Sequence, residues 1–160
     1  MDYLQLVQLA ECENVKIIEM PMHGRNKGMY SDNTIALSSF IETTVESRCI
    51  LAEELGHYYT TVGDITDQSK IENRKQELKA RRWGYSKLVP IKKLIQAYEY
   101  GCKSRYEVAE YIEVTEVFLE DSLTYYLQKY GICARCGKYI VYFGPLGIMK
   151  MFSVDRKSVV

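Results

Sequence analysis

Apolar positions in the N-terminal part of the chain follow a pattern that predicts a short helix and two short strands. Residues 4–11 have apolar side chains at helical spacing, whereas 15–20 is a run rich in β-branched residues that Pro21 closes. A second short apolar run covers 34–37, and the polar, glycine-containing segment 23–28 is predicted to be a turn. The two strands predict a small N-terminal sheet.

Two longer helices are predicted in the middle of the chain. Ser39 and Glu42 have the spacing of a capping box, so the first helix is predicted to begin at Ser39 and to end between 60 and 63. The second is predicted over 71–89, because Pro90 cannot continue a helix and disfavours helical backbone in the residue before it. These two helices carry the residues with candidate chemistry.

The C-terminal part is predicted to be mainly helical. A helix over 91–100 is followed by a glycine, the residue that most often ends helices. Ser104 and Glu107 form a second capping-box pattern, and Thr115 is suited to cap a last helix that runs to Gly131. The last two helices have the arrangement of a helix-turn-helix.

Two apolar runs near the C-terminus, 139–143 and 148–152, flank the turn-forming segment 144–147 and predict a closing hairpin. The last six residues are predicted to fray. Because strands and helices are segregated along the chain, we expect an α+β fold with a small N-terminal sheet, two site-bearing helices and a helical C-terminal region. At 160 residues, one compact unit is expected.

Composition narrows the classes of function. Lysine plus arginine and aspartate plus glutamate number 21 each, so the net charge of zero gives no general attraction to nucleic acid. No window approaches the roughly 18 apolar residues of a membrane span, and no basic stretch followed by an apolar run begins the sequence. The five cysteines are scattered and odd in number. We therefore expect a cytoplasmic protein that binds neither a membrane nor, directly, nucleic acid.

A candidate metal site lies on the first long helix. Glu53 and His57 are four residues apart, so they project from the same face of a helix, with Glu54 beside them. This is the spacing of the His-Glu-x-x-His zinc-peptidase motif with glutamate in place of the first histidine. A carboxylate oxygen binds zinc at about the same distance as an imidazole nitrogen. Glu77, on the second long helix, is predicted to be a further ligand, which leaves one position open for water.

The supply of histidine and cysteine limits other metal sites. His23 and His57 are the only histidines, so a three-histidine site is excluded. Cys133 and Cys136 have the spacing of half a zinc ribbon or of a redox pair, but no second pair lies nearby. By itself the Glu-Glu-x-x-His pattern also fits a solvated helix face. The apolar opposite face of the helix, and Gly56, which lets another backbone come close, favour the metal site.

Three segments carry a resemblance to a known family. They are Cys49-Ile50-Leu51-Ala52-Glu53-Glu54-Leu55-Gly56-His57, the preceding run 35–37, and Glu77-x-x-Ala80-x-x-Trp83-Gly84 leading to Leu88-Val89-Pro90. In these segments the sequence resembles the ImmA/IrrE metallo-endopeptidases of phages, other mobile elements and stress regulators. The resemblance implies a minimal zincin-like fold, in which His57 and Glu77 bind the metal, Glu54 is the catalytic base and Glu53 replaces the first histidine.

The resemblance covers residues 15–90 well and the remainder loosely. We accordingly expect a metallopeptidase core over 1–90 and, within the same compact unit, a helical C-terminal subdomain with the hairpin over 91–160.

A zinc-dependent endopeptidase is the function that the resemblance implies. One Zn²⁺ ion would activate water for Glu54 to deprotonate, with Mn²⁺ or Fe²⁺ as alternatives because the site is rich in carboxylates. Tyr58 or Tyr59 is a candidate hydrogen-bond donor to the oxyanion or the substrate, although packing at the helix end also explains either residue. The expected protein substrate is a helix-turn-helix transcriptional repressor of a phage or mobile element.

Two other functions stay open on the sequence. The shape predicted for 104–130 is that of a DNA-binding regulator, but Glu116, Glu120 and Asp121 put negative charge where a recognition helix meets phosphates. The other is a catalytically inactive relative of the peptidases that binds a partner protein without cutting it.

Overall fold

The computed structural model describes residues 1–63, 67 and 69–152, and the predicted fraying of the last six residues lies outside them. Within this part of the chain the elements are, in order, α1 (Tyr3–Cys12), β1 (Lys16–Met20), β2 (Gly28–Ser31), β3 (Thr34–Ser38), α2 (Thr44–Thr60), α3 (Ile71–Leu88), α4 (Ile91–Tyr100), α5 (Arg105–Ile112), α6 (Glu116–Tyr130), β4 (Cys133–Cys136), β5 (Tyr139–Phe143) and β6 (Leu146–Lys150). Helices and two small three-stranded sheets make up an α+β fold, as predicted.

The N-terminal sheet has one strand more than the sequence predicts. Its order is β1-β3-β2, with β1 parallel and β2 antiparallel to β3. The prediction of a turn over 23–28 is right for most of that segment, but β2 begins at Gly28. Asp32 and Asn33, which join β2 to β3, have φ values of 47° and 56°, as in the type I′ turn that favours a tight hairpin. This Asp-Asn pair was the available signal for β2.

The first long helix begins later than the capping-box pattern at Ser39 predicts. The cap is Thr43, whose hydroxyl accepts a hydrogen bond of 3.1 Å from the amide of Glu46. Ser39 instead extends the sheet, because its amide donates to the carbonyl of Met20 at 3.0 Å. The prediction is wrong because the sequence has two capping patterns four residues apart, at Ser39 and at Thr43, and the backbone of Ser39 pairs with β1 instead of beginning the helix.

Helices α2 and α3 cross at very close range. A Cβ atom added to Gly56 would lie 2.1 Å from the carbonyl oxygen of Ala80, so only glycine fits at this point. One turn along, the nearest atom to a Cβ placed on Gly84 is 3.4 Å away, in the backbone of Ala52. The close crossing brings the side chains of α2 and α3 together on either side of the contact.

Helices α5 and α6 form the predicted helix-turn-helix shape. Ser104 accepts a hydrogen bond from the amide of Glu107, whose side chain accepts from the Ser104 amide, so the capping box is complete. The chain turns at Glu113, which has a left-handed φ of 62°, and Thr115 caps α6 as predicted.

The C-terminal hairpin is part of a three-stranded sheet of order β4-β5-β6. The sequence predicts no strand at β4 and places the start of the last strand at 148, whereas β6 begins at Leu146. The earlier start of β6 has a simple cause: the turn is confined to Gly144 and Pro145, so Phe143 pairs directly with Leu146.

One hydrophobic core runs through the described residues from Leu6 of α1 to Phe143 of β5. The hydroxyl of Tyr126, on α6, donates a hydrogen bond of 2.8 Å to the carbonyl of Val89 at the end of α3. The division into residues 1–90 and 91–160 remains a prediction. None of the helices that the structure describes is both long and apolar enough to cross a membrane.

A buried arginine joins the N-terminus and α5 to α2. Arg48 is only 4% exposed. Its Nε donates to the carbonyl of Met1 at 2.8 Å, and its Nη1 donates to the carbonyl of Ile112 at 2.7 Å and to that of Glu113. These carbonyls stand in for an anionic partner, since hydrogen bonds are what make a buried guanidinium tolerable.

Candidate metal centre

Glu54, the predicted base, is enclosed between α2 and the edge strand β2. Its side chain is buried, and a Cβ atom added to Gly28 would lie 2.7 Å from its Oε1. The backbone of Tyr30, also on β2, favours the charged form of the Glu54 carboxyl, although burial has the larger effect and raises its pKa. The glycine at position 28 therefore lets β2 lie directly against the carboxylate.

His57 and Glu77, two of the predicted ligands, are brought into direct contact by the crossing of α2 and α3. His57 Nε2 lies 3.2 Å from Glu77 Oε2. The other ring nitrogen, Nδ1, lies 3.0 Å from Oγ1 of Thr61, one turn further along the chain. A partner on Nδ1 fixes the orientation of a ligating imidazole and directs Nε2 to the metal. Sequence reasoning misses Thr61, although its position four residues after His57 is a readable signal.

Arg81 is a second residue at the site that sequence reasoning misses as part of the centre. Its Nε donates to Glu77 Oε1 at 2.9 Å, one helical turn away on α3. Burial raises the pKa of Glu53, and the positive charge of Arg81 opposes that rise. On the sequence alone, Lys75, Lys79, Arg81 and Arg82 form a basic cluster that fits a solvated helix face or a contact for an acidic stretch of substrate.

Burial and mutual charge shift the pKa values of these residues in different directions. Burial raises the pKa of Glu54 to about 7 and also raises that of Glu53. The hydrogen bond from His57 lowers the pKa of Glu77 to about 2. Burial opposes protonation of His57, but the hydrogen bond to Glu77 and the nearby carboxylates outweigh it, so the pKa of His57 is raised. The shifts show that burial disfavours the charged forms of Glu53 and Glu54, whereas the partners of Glu77 keep it ionised.

The His57 and Glu77 pair fits a divalent cation. Ligands about 2.0–2.1 Å from a tetrahedral zinc ion lie about 3.3–3.4 Å from one another. The 3.2 Å between His57 Nε2 and Glu77 Oε2 is close to that value. An imidazole nitrogen and a carboxylate oxygen are, moreover, common zinc ligands.

Glu53, the remaining predicted ligand, stays on α2 one turn before His57 but does not complete a set of three. Among the residues that the structure describes, no group of three histidine, cysteine, aspartate or glutamate side chains is arranged to hold a metal ion. Its role as a ligand remains a prediction.

Tyr58 and Tyr59, the candidate contacts to an oxyanion or substrate, both bond to Glu13 at the end of α1. Their hydroxyls donate to the two carboxylate oxygens at 3.1 and 3.2 Å. Tyr59 also stacks on Trp83, with 5.0 Å between ring centroids. These contacts fasten the end of α2 to α1 and α3, so packing accounts for both tyrosines, and a catalytic contact remains a prediction.

The remaining cysteine and histidine candidates lie elsewhere. Cys133 and Cys136 are both in β4, where an offset of three residues puts side chains on opposite faces and about 10 Å apart. That separation exceeds the roughly 7 Å Cα limit for a disulfide, so the two cysteines do not form a redox pair in this strand. The ring of His23 packs on Phe40, 5.6 Å between centroids.

A small zincin-like α+β fold with this cluster of side chains is that of a metallopeptidase-type domain. The model of the IrrE N-terminal-like domain, peptidase M78, matches residues 10–124, and the chain belongs to this family. The match confirms the resemblance read from the sequence and extends beyond residue 90 into α6. Searches of curated proteins and of solved structures found no match.

Proposed function

We propose that this chain is a zinc-dependent endopeptidase that cleaves a regulatory protein, a helix-turn-helix repressor of a phage or mobile element. The observation that carries the proposal is the contact of His57 with Glu77 next to a buried Glu54. Two residues with the chemistry of metal ligands and one with the chemistry of a proton acceptor meet where α2, α3 and β2 converge.

His57, Glu77 and, in this proposal, Glu53 hold the ion. When bound, zinc would polarise the scissile carbonyl and acidify a water molecule. Glu54 receives the proton at its carboxylate and later gives it to the leaving amine. A carboxyl group held in a buried position, with a pKa of about 7, is matched to taking up and releasing a proton near neutral pH.

Strand β2 offers a place for an extended substrate. In the part of the chain that the structure describes, β2 pairs with β3 on one side only, and Met29 is exposed. An extended peptide can add to such an edge through backbone hydrogen bonds. Because Gly28 and Tyr30 both approach Glu54, a peptide on this edge would run past the carboxylate, as cleavage within a chain requires.

The choice of a repressor as substrate is supported by the resemblance of the chain to peptidases of mobile elements, while the family match supports a metallopeptidase-type domain. The direct test incubates the wild type, Glu54→Gln and His57→Ala with a helix-turn-helix repressor of a phage or mobile element, and measures both metal content and peptide fragments by mass spectrometry. We expect the wild type to hold one zinc and cut, Glu54→Gln to hold zinc without cutting, and His57→Ala to lose both. A wild type that neither binds zinc nor cuts with zinc added overturns the proposal.

The second candidate function is a catalytically inactive relative that regulates by binding. It is favoured by Glu53 at the position of the first histidine and by the incomplete set of ligands among the described residues. A binding titration of the repressor with the wild type separates the two functions, because a regulator binds the repressor stably and leaves it intact.

A DNA-binding form of this regulator has little support from charge. The side chain of Arg105 pairs with Glu120 of α6, and Glu116 lies in the first turn of that helix. A helix that begins with carboxylates repels phosphates. Gel-shift assays in low salt are expected to show no complex of the wild type with operator DNA.

A further inference from the structure

A centre that uses Glu53 as a ligand carries one negative charge more than the two-histidine motif. Glu53 and Glu77 would then both bind the dication beside Glu54, and Asp121 of α6 adds negative charge that acts on Glu53. Carboxylates that repel one another resist a shared site unless a cation offsets them. The histidine motif has less need of such a cation, because neutral imidazole replaces one of the carboxylates.

Arg81 provides a positive charge at this position. Its Nε bonds Oε1 of Glu77, while the other carboxylate oxygen, Oε2, is the one that faces His57. One oxygen of Glu77 is thus held and the other is left for the metal.

The packing of the helices brings Arg81, which bonds Glu77, close to the part of α2 that carries Glu53. Ala80, the residue before Arg81, contacts Gly56. One turn later, a Cβ atom added to Gly84 would lie 3.5 Å from the amide nitrogen of Glu53. Position 81 therefore sits beside the stretch of α2 that carries Glu53. Among the cations that lower the pKa of Glu53, Arg81 has the largest effect.

We propose that Arg81 is a positioning residue of the metal centre, which fixes Glu77 for the ion and offsets the charge that Glu53 brings to the histidine position. The inference rests on the proposed metal-dependent function. It also specifies a pairing: glutamate at position 53 requires arginine at position 81, whereas a histidine introduced at position 53 does not.

The test measures zinc affinity by competition with a chelator for the wild type, Arg81→Gln, Arg81→Lys, Glu53→His and the double variant Glu53→His with Arg81→Gln. We expect Arg81→Gln to weaken zinc binding by about 10- to 100-fold, the usual cost of losing a residue that orients a ligand. Arg81→Lys should restore part of the loss, since the charge remains without the planar fork. In the Glu53→His background, the loss caused by Arg81→Gln should shrink by about fivefold or more.

Lys79→Gln is the matched control. It removes a positive charge from the same helix, and among the described residues Lys79 forms no ion pair with the carboxylate of Glu53 or of Glu77. Its zinc affinity should equal that of the wild type, and thermal melting checks that every variant is folded. A purely structural role for Arg81 would lower the melting temperature equally in both backgrounds and leave zinc affinity unchanged.

The outcomes separate this inference from the function on which it rests. A wild type that binds no zinc overturns both. A wild type that binds zinc, with Arg81→Gln binding as tightly or more tightly, overturns only the role of Arg81. Equal losses from Arg81→Gln in the wild-type and Glu53→His backgrounds overturn the charge-offset part of the proposal.

Discussion

Helices α3 and α6 pack against each other but bury different kinds of side chain. The buried residues of α3 are Asn73, Ala80, Gly84, Tyr85 and Leu88, so its large buried side chains lie only near its end, and its Glu77 and Arg81 belong to the proposed metal centre. The buried face of α6 is mostly large and apolar, with Phe118, Leu119, Leu123 and Tyr126. The difference teaches that the site region gives up apolar packing to hold charged groups and close backbone contacts, while the C-terminal region contributes large side chains to the shared core.

The link between the two regions should be the most sensitive point for stability. Arg48→Met leaves the carbonyls of Met1, Ile112 and Glu113 without their donor, and we expect it to lower the free energy of unfolding by about 3–5 kcal/mol. Urea denaturation followed by circular dichroism measures this loss. The exposed control Lys92→Met should change stability little, and an Arg48→Met protein as stable as wild type would show that the two regions do not depend on this link.

The crossing of α2 and α3 should tolerate no side chain at Gly56. Gly56→Ala places a methyl group 2.1 Å from the Ala80 carbonyl oxygen, so the helices must separate. We expect a loss of about 1–3 kcal/mol in the free energy of unfolding, together with a loss of zinc affinity as His57 and Glu77 move apart. Gly84→Ala is the control, because its methyl group would meet nothing nearer than 3.4 Å. Equal behaviour of the two variants would refute close packing as the basis of the site.

The orientation of His57 should affect function more than stability. Thr61→Val removes the hydroxyl next to Nδ1, and we expect about a tenfold loss of zinc affinity with little change in melting temperature. Thr60→Val removes a neighbouring hydroxyl that donates to the Gly56 carbonyl instead, and it should leave zinc affinity unchanged. If both variants bind zinc like the wild type, Thr61 has no orienting role.

A hydroxyl in the C-terminal region should show the opposite behaviour. Tyr126→Phe removes the donor to the Val89 carbonyl and should cost about 1–2 kcal/mol of unfolding free energy without altering zinc affinity. Tyr130→Phe, at an exposed position, should cost less. Denaturant titration in parallel with zinc competition provides both readings, and a fall in zinc affinity in Tyr126→Phe would mean that the regions are coupled more closely than their contacts indicate.

Local rules predict the C-terminal region better than the site. The end of α4 at Gly101, the capping box of Ser104 and the cap at Thr115 are all confirmed, because each depends on residues close in sequence. Strands β2 and β4 escape prediction because each is only four residues long and owes its existence to pairing with another strand.

The residues of the candidate site also differ in how far the sequence predicts them. The spacing of Glu53, Glu54 and His57 can be read from one helix, and Glu77 from the second motif. Arg81 cannot be assigned without knowing how α2 meets α3, since its importance lies in the contacts around that crossing, whereas Thr61 could have been read from its position four residues after His57. Local sequence therefore identifies candidate groups, and the tertiary fold decides how each is held.

The central claim is that His57 and Glu77 hold a zinc ion beside Glu54. Anomalous diffraction at the zinc edge, from crystals of the wild type grown with zinc, tests it most directly. The account requires one peak about 2.0–2.2 Å from His57 Nε2 and Glu77 Oε2, with Glu53 turned toward it. A zinc peak elsewhere, such as at Cys133 or Cys136, with none at His57, would contradict it.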